Sequence, residues 1–207
     1  MVRAVDPSMT RHFGLTYDYR CPYARIVHDH VVTGLRAGAD WDVTFLPFSL
    51  GQAHVEEGQP SVWEQPEQDT GIVALQAALA VRDTQPDKFI DAHYAMYEHR
   101  HASAGQIKDR DDLTPVLAAA GVDVDAMWAE VDSGRPLATV EKEHTSYVGS
   151  HEVWGVPTFI VDDAAVFVRL LELPDGDADV AISSIERVLD QVGWPILNEF
   201  KHTSIPR

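Results

Sequence analysis

Cysteine is almost absent from this chain, which has one, Cys21, among 207 residues. A single cysteine cannot form a disulfide within the chain, so no covalent cross-link stabilises the fold. Such cysteine usage is typical of proteins from a reducing compartment. The first residues also lack the apolar run of a secretory signal. We therefore expect a cytoplasmic protein.

Basic residues and long apolar runs are scarce as well. The chain has 16 Lys and Arg against 33 Asp and Glu, a formal net charge of −17 at pH 7. Such a charge disfavours binding to nucleic acid and to anionic membranes, so neither is an expected partner. No apolar stretch approaches the roughly 20 residues that span a bilayer. Apolar residues still make up 45% of the chain, which predicts a globular domain with a real core.

The hydrophobic pattern at the start predicts a strand, a helix and a second strand. Residues 12–19 and 41–48 are rich in β-branched and aromatic residues, and residues 22–37 have apolar side chains at helical spacing. A β-α-β unit of this length is right-handed, with its two strands parallel. Residues 51–69 are rich in Gln, Glu, Gly and Pro, which indicates a loop.

The rest of the pattern predicts a helical block followed by two strands and a helix. Residues 70–151 are helical throughout, with Asp111 and Asp123 as expected N-caps. Strand character returns at 158–161 and 165–170, and a last helix is expected over 178–192. The chain is therefore predicted to be a small α/β domain with a helical insertion.

Cys21 lies in the sequence Tyr-Asp-Tyr-Arg-Cys-Pro-Tyr-Ala, where the strand pattern gives way to the helical one. The N–H groups and the dipole at a helix N-terminus favour a thiolate over a thiol. Pro22 can open the helix, and Arg20 and Arg25 add positive charge. The pattern predicts a reactive cysteine with a lowered pKa. The alternative is a small buried residue without reactivity.

A second informative segment is Gly-Val-Pro-Thr at 155–158, where Pro157 directly precedes an apolar strand. Proline cannot donate to a β-ladder and is best tolerated at the first residue of a strand. Most X–Pro bonds are trans, so the segment alone leaves the isomer of this bond open.

The Cys-Pro-Tyr-Ala motif at 21–24, the Val-Pro-Thr motif at 156–158 and the closing β-β-α order together resemble the DsbA-like branch of the thioredoxin superfamily. That branch includes kappa-class glutathione transferases, 2-hydroxychromene-2-carboxylate isomerases and mycothiol-dependent nitroreductases. The resemblance covers about residues 12–195. Two further stretches look like the nitroreductase group, namely Ala95-Met96 followed by His101, and Phe200-Lys201 followed by Pro206.

The resemblance implies a thioredoxin-like domain formed by residues 12–50 and 152–195, a helical insertion over 62–151 and a tail over 196–207. It implies that Cys21 is the nucleophile and that Pro157 is a cis-proline facing it. The backbone of Val156 would pair with an extended substrate or thiol. Pro22, Tyr23 and His101 are the further residues expected to contact the substrate or the thiol.

The chain departs from the dithiol members of the branch at Ala24, where they have a second cysteine. Without it, a mixed disulfide on Cys21 must be released by a second small thiol, so glutathione or mycothiol is the expected co-substrate. The first hypothesis is a monothiol oxidoreductase that reduces a disulfide or a small electrophile. A thiol-dependent transferase or isomerase and a redox-inactive binding protein are the alternatives.

The histidines do not suggest a metal site. His28 and His30, like His99 and His101, are two residues apart, so on a helix they point to different sides. Zinc sites usually need four ligands, and no second cysteine is present, so no metal is expected. His93 and His144 lie on apolar helix faces and are predicted to be buried core residues. Trp63, in the 51–69 loop, either lines the substrate pocket or anchors that loop. The oligomeric state is open, with a homodimer as one candidate.

Overall fold

The computed structural model describes residues 10–194 and 196–197, which contain one mixed sheet. Its strands are β1 (Arg11–Tyr17), β2 (Trp41–Pro47), β3 (Thr158–Val161) and β4 (Ala164–Phe167), in the order β2-β1-β3-β4. β1 and β2 are parallel, as predicted, whereas β3 is antiparallel to both of its neighbours. The predicted tail stretches at Phe200-Lys201 and Pro206 lie outside the described residues.

Helices cover this sheet and form the insertion between β2 and β3. They are α1 (Pro22–Arg36), α2 (Leu50–Ala53), α3 (Ile72–Thr84), α4 (Pro86–His101), α5 (Arg110–Ala119), α6 (Val124–Asp132), α7 (Arg135–His151) and α8 (Ala178–Val192). α1 packs against α8 on the sheet and against α4 of the insertion. This confirms the predicted α/β, thioredoxin-like order with a helical insertion. Within the described residues, no helix is long and apolar enough to cross a membrane.

Four local expectations need correction. The first strand ends at Tyr17 and not at residue 19, and β4 ends at Phe167 and not at residue 170. The predicted 51–69 loop begins within α2 and contains a short 3-10 turn, Pro66–Gln68. The N-cap of α5 is Asp109 and not Asp111, because the extended backbone of Asp109 lets its carboxylate accept from the N–H of Asp112 at 3.0 Å.

The core between sheet and insertion contains a chain of buried polar rings. Nε2 of His28 lies 3.1 Å from the carbonyl oxygen of Thr16, which can only accept, so that nitrogen carries the proton. His28 Nδ1 then accepts from Nε2 of His93 at 2.9 Å. Nδ1 of His93 in turn accepts from the hydroxyl of Tyr19 at 2.7 Å. The predicted core positions of His93 and His144 are confirmed, since both are buried.

Burial keeps these imidazoles neutral, because an imidazolium would lose its hydration in the core. It lowers the pKa of His28 to about 3 and that of His144 to about 4. Burial and the neighbouring His28 lower the pKa of His93 well below its ordinary value. The folded protein therefore excludes protons that an unfolded chain would bind.

We expect the free energy of unfolding to fall as the pH falls from about 6.5, the ordinary histidine value, towards about 4. The unfolded chain binds these protons first, and each such histidine contributes about 1.4 kcal/mol per pH unit. Urea unfolding at stepped pH measures this slope. His144→Gln should make this slope smaller by about one proton, because glutamine does not titrate. Glutamine can still accept from the N–H of Ser49, which lies 3.2 Å from His144 Nδ1, so the local structure is kept. An unchanged slope in that variant would contradict the assignment.

Candidate functional site

Cys21 is the N-cap of α1, at the end of the turn that follows β1. Its backbone is extended, with φ −86° and ψ 117°, and Pro22 opens the helix as predicted. The N–H of Ala24 donates to the Cys21 Sγ at 3.4 Å, and the side chain is half-buried. The sulfur therefore has the helix N-terminal geometry that the sequence indicated.

The loop before β3 faces this sulfur. The Val156–Pro157 peptide bond is cis, and the Cys21 thiol donates to the Val156 carbonyl oxygen at 3.5 Å. Thr16 holds the loop in place, because its Oγ1 accepts from the N–H of Thr158 at 2.8 Å and donates to the Gly155 carbonyl at 3.3 Å. The structure thus brings together two motifs that are 135 residues apart in the chain.

The predicted lowering of the Cys21 pKa is wrong in direction. Burial, the largest cause, raises the pKa of the thiol, and this outweighs the N–H groups of Ala24 and Tyr23, which lower it. Asp18 raises the pKa further, since a carboxylate repels a thiolate. The hydrogen bond to Val156 also requires the protonated form. The sequence showed the helix N-terminus but gave no measure of the burial.

Asp18 is a site residue that the sequence reasoning missed. Its side chain is fully buried and accepts from the Arg20 N–H at 2.9 Å, from Arg20 Nε at 3.0 Å and from Arg20 Nη2 at 2.7 Å. The N–H of Leu50 adds a fourth bond at 2.9 Å. Arg20 also donates to Asp69 at 2.9 Å. An aspartate at the end of an aromatic-rich strand was the available signal.

Both arginines that the sequence placed near the thiol are therefore paired. Arg20 is shared between Asp18 and Asp69. Arg25 donates through Nε and Nη2 to one carboxylate oxygen of Glu98, at 3.0 and 2.8 Å. Their positive charge is largely compensated locally, which is a second reason why the thiol pKa is not lowered.

Arg169 is the other site residue that no sequence pattern indicated. It is exposed, and its guanidinium carbon lies 4.2 Å from the centre of the Tyr23 ring, a cation–π contact. The N–H of the preceding residue, Val168, donates to the carbonyl of Pro157 at 3.1 Å. The segment after β4 is thereby attached to the cis-proline loop and passes over the first turn of α1.

His101 ends α4 beside the same turn. Its Nε2 lies 2.8 Å from the carbonyl oxygen of Tyr19, two residues before Cys21, and its ring is near Tyr97. Burial lowers the His101 pKa, so the neutral imidazole is favoured. The half-buried Trp63 contacts the ring of His144.

An open groove of about 400 Å³ runs from Pro22 along α1. It is lined on the other side by the segment that follows Arg169, and its lining residues are Pro22, Arg25, Ile26, Leu171, Glu172, Leu173 and Asp175. Within residues 10–194 and 196–197, no group of three or more His, Cys, Asp and Glu side chains could hold a metal ion.

Three solved structures illustrate the likeness in fold. The DsbA of Pseudomonas aeruginosa is 20% identical, with 91% of this chain and 90% of that one covered and a TM-score of 0.56. The thiol-disulfide exchange protein α-DsbA2 of Wolbachia pipientis is 16% identical, with 88% and 84% covered and a TM-score of 0.57. A thioredoxin-like oxidoreductase from Silicibacter pomeroyi is 19% identical, with 85% and 86% covered and a TM-score of 0.56.

These identities are low, so the structural likeness establishes the fold alone. No curated protein matches the sequence. Residues 15–173, most of the chain, match the family model described as the DSBA-like thioredoxin domain. The match includes Cys21 and the Val156–Pro157 bond that faces it. The protein therefore belongs to the DSBA-like thioredoxin domain family of thiol-disulfide oxidoreductases.

Proposed function

We propose that the protein is a cytoplasmic monothiol oxidoreductase in which Cys21 exchanges with a low-molecular-weight thiol, glutathione or mycothiol. The observation that carries this proposal is the position of the one thiol, at the N-cap of α1 and 3.5 Å from the Val156 carbonyl next to cis-Pro157. Ala24 occupies the position of a second cysteine, and its side chain is fully buried. The substrate is a disulfide or another small electrophile.

The reaction with a disulfide takes three exchanges. The Cys21 thiolate attacks one substrate sulfur, so a mixed disulfide forms and the other half leaves as a thiolate that takes up a proton. A small thiolate then attacks the Cys21 sulfur and releases the second half. A second small thiolate attacks the sulfur of the small thiol now on Cys21, which frees Cys21 and yields the oxidised small thiol.

Val156 connects substrate binding to thiol activation. In the free protein its carbonyl accepts from the Cys21 S–H, a bond that holds the proton on the sulfur. A substrate that pairs with this backbone as an added strand would donate its own N–H to the same oxygen. The Cys21 thiol would then lose its acceptor while the Ala24 N–H, at 3.4 Å, stays available to the thiolate.

The raised thiol pKa favours one alternative, a thiol-dependent transferase or isomerase. In that case the sulfur of a bound small thiol is the reacting atom, and protonated Cys21 only orients it. The two functions differ in one intermediate, because only the oxidoreductase forms a disulfide on Cys21.

Cys21→Ser is expected to abolish glutathione- or mycothiol-dependent reduction of a small disulfide, because the alcohol cannot form the mixed disulfide. Turnover assays with each thiol, and intact mass after acid quenching, check this. One thiol adduct per wild-type chain supports the proposal. Retained turnover in the variant without an adduct favours the transferase, and no turnover in the wild type with either thiol favours a redox-inactive binding protein.

Ala24→Cys should supply the missing resolving thiol. A thiol at this position follows Cys21 by one helical turn, so it can attack a mixed disulfide on Cys21 and form an intramolecular disulfide. We expect the reduced variant to reduce one equivalent of a model disulfide peptide to its dithiol without added small thiol, because its own two thiols supply the electrons and end as the intramolecular disulfide, whereas the wild type stops at the mixed disulfide. Ala24→Ser is the matched control for volume. Equal dependence on added thiol in Ala24→Cys and wild type would contradict the monothiol mechanism.

Asp18→Asn should lower the pH midpoint of Cys21 alkylation, since it removes the carboxylate that raises the thiol pKa. It should also destabilise the fold by about 3 kcal/mol or more, because breaking a buried pair leaves Arg20 partly unpaired. Asp69→Asn, which removes the other partner of Arg20, is the matched control. Iodoacetamide kinetics against pH and urea unfolding give both quantities. Equal midpoints for the two variants would contradict the role of Asp18.

A further inference from the structure

Three arginines surround the thiol, and they differ in what compensates their charge. Arg20 and Arg25 are bound to carboxylates, as described above. Arg169 instead lies over the ring of Tyr23. The ion pairs among the described residues do not include it. An arginine stacked on an aromatic face keeps its N–H groups directed outward and its charge available.

The position of Arg169 is fixed by the site itself. Tyr23 belongs to the first turn of α1, two residues after Cys21, and its ring supports the guanidinium at 4.2 Å. On the other side, Val168 is bonded to Pro157 at 3.1 Å, next to the Val156 carbonyl that contacts the sulfur. The two contacts hold the arginine at the entrance to the thiol from both of the motifs that form the site.

We propose that Arg169, supported by Tyr23, is the anion-recognition residue of this site and selects thiols and disulfides that carry a carboxylate near the sulfur. This inference rests on the proposed function, whose thiol co-substrate it narrows. A planar guanidinium binds a carboxylate through two parallel hydrogen bonds. The ligand class is therefore a carboxylate-bearing thiol such as glutathione, and not a neutral sugar thiol.

The net charge of the protein gives a local positive charge at the site added weight for this ligand class. A chain with a formal charge of −17 repels small anions at long range. An exposed guanidinium next to the sulfur reverses the potential locally, where the reaction takes place. The rest of a bound thiol would then lie along the groove that begins at Pro22.

The test compares the rates at which Cys21 reacts with two aromatic disulfides. Dithiobis(nitrobenzoate) carries carboxylates, whereas dithiodipyridine carries none, so the ratio of the two rates isolates charge recognition from thiol reactivity. Arg169→Ala should lower this ratio about three- to fivefold, the size of one partly screened charge contact in water. The preference of the wild type should also decline as salt is added.

Matched variants separate the local contact from net charge. Arg187→Ala removes the same charge from an exposed position of α8 that is remote from the thiol. The preceding residue, Glu186, pairs with Arg11 at the opposite end of β1. This variant should keep the wild-type ratio of rates. Tyr23→Phe keeps the supporting ring and should keep the ratio whatever its overall rate, whereas Tyr23→Leu should lower it.

The outcomes are distinct. An unchanged ratio in Arg169→Ala, or an equal drop in Arg187→Ala, overturns the inference and leaves the proposed function in place. A wild-type Cys21 that reacts with neither reagent overturns both. A selective drop in Arg169→Ala and Tyr23→Leu supports the inference.

Discussion

The buried carboxylate of Asp18 is the constraint on which the site depends. A carboxylate without solvent is tolerated only when hydrogen bonds replace its hydration, and here four N–H groups of Arg20 and Leu50 do so. Its own carbonyl accepts from the N–H of Cys21 at 3.1 Å. One residue therefore joins the end of β1, the cap of α1 and the start of α2. The turn that presents the sulfur follows from satisfying this buried charge.

The same arrangement opposes the chemistry that it positions. The N-terminus of α1 provides N–H groups for a thiolate, while burial, Asp18 and the Val156 carbonyl favour the protonated thiol. A resting thiol of this kind resists oxidation in the absence of a ligand. Under the proposed function, a ligand that displaces the contact with Val156 activates the thiol, and reactivity would then depend on occupancy of the cis-proline loop.

The fold and the sulfur position could be predicted because local patterns determine them. Each of these patterns involves residues that are close together in the sequence. Examples are the periodicity of a strand or a helix, the proline at 22 and the turn between β3 and β4. Arg169 could not be found this way, since its partner Tyr23 is 146 residues distant. Asp18 has a local partner in Arg20, but its burial and its bond to Leu50, 32 residues away, arise only in the folded chain. The predicted direction of the Cys21 pKa shift was wrong for the same reason, because burial is a property of the folded molecule.

The series of hydrogen bonds from Thr16 through His28 and His93 to Tyr19 has a consequence for unfolding. His28 belongs to α1 of the sheet domain and His93 to α4 of the insertion, so a buried hydrogen bond connects two regions that the chain order separates. Opening either region alone would leave unpaired imidazole and phenol groups in an apolar core, at a cost of about 1–3 kcal/mol each. This bond and the packing of α1 on α4 therefore favour unfolding of the helical insertion together with the sheet domain.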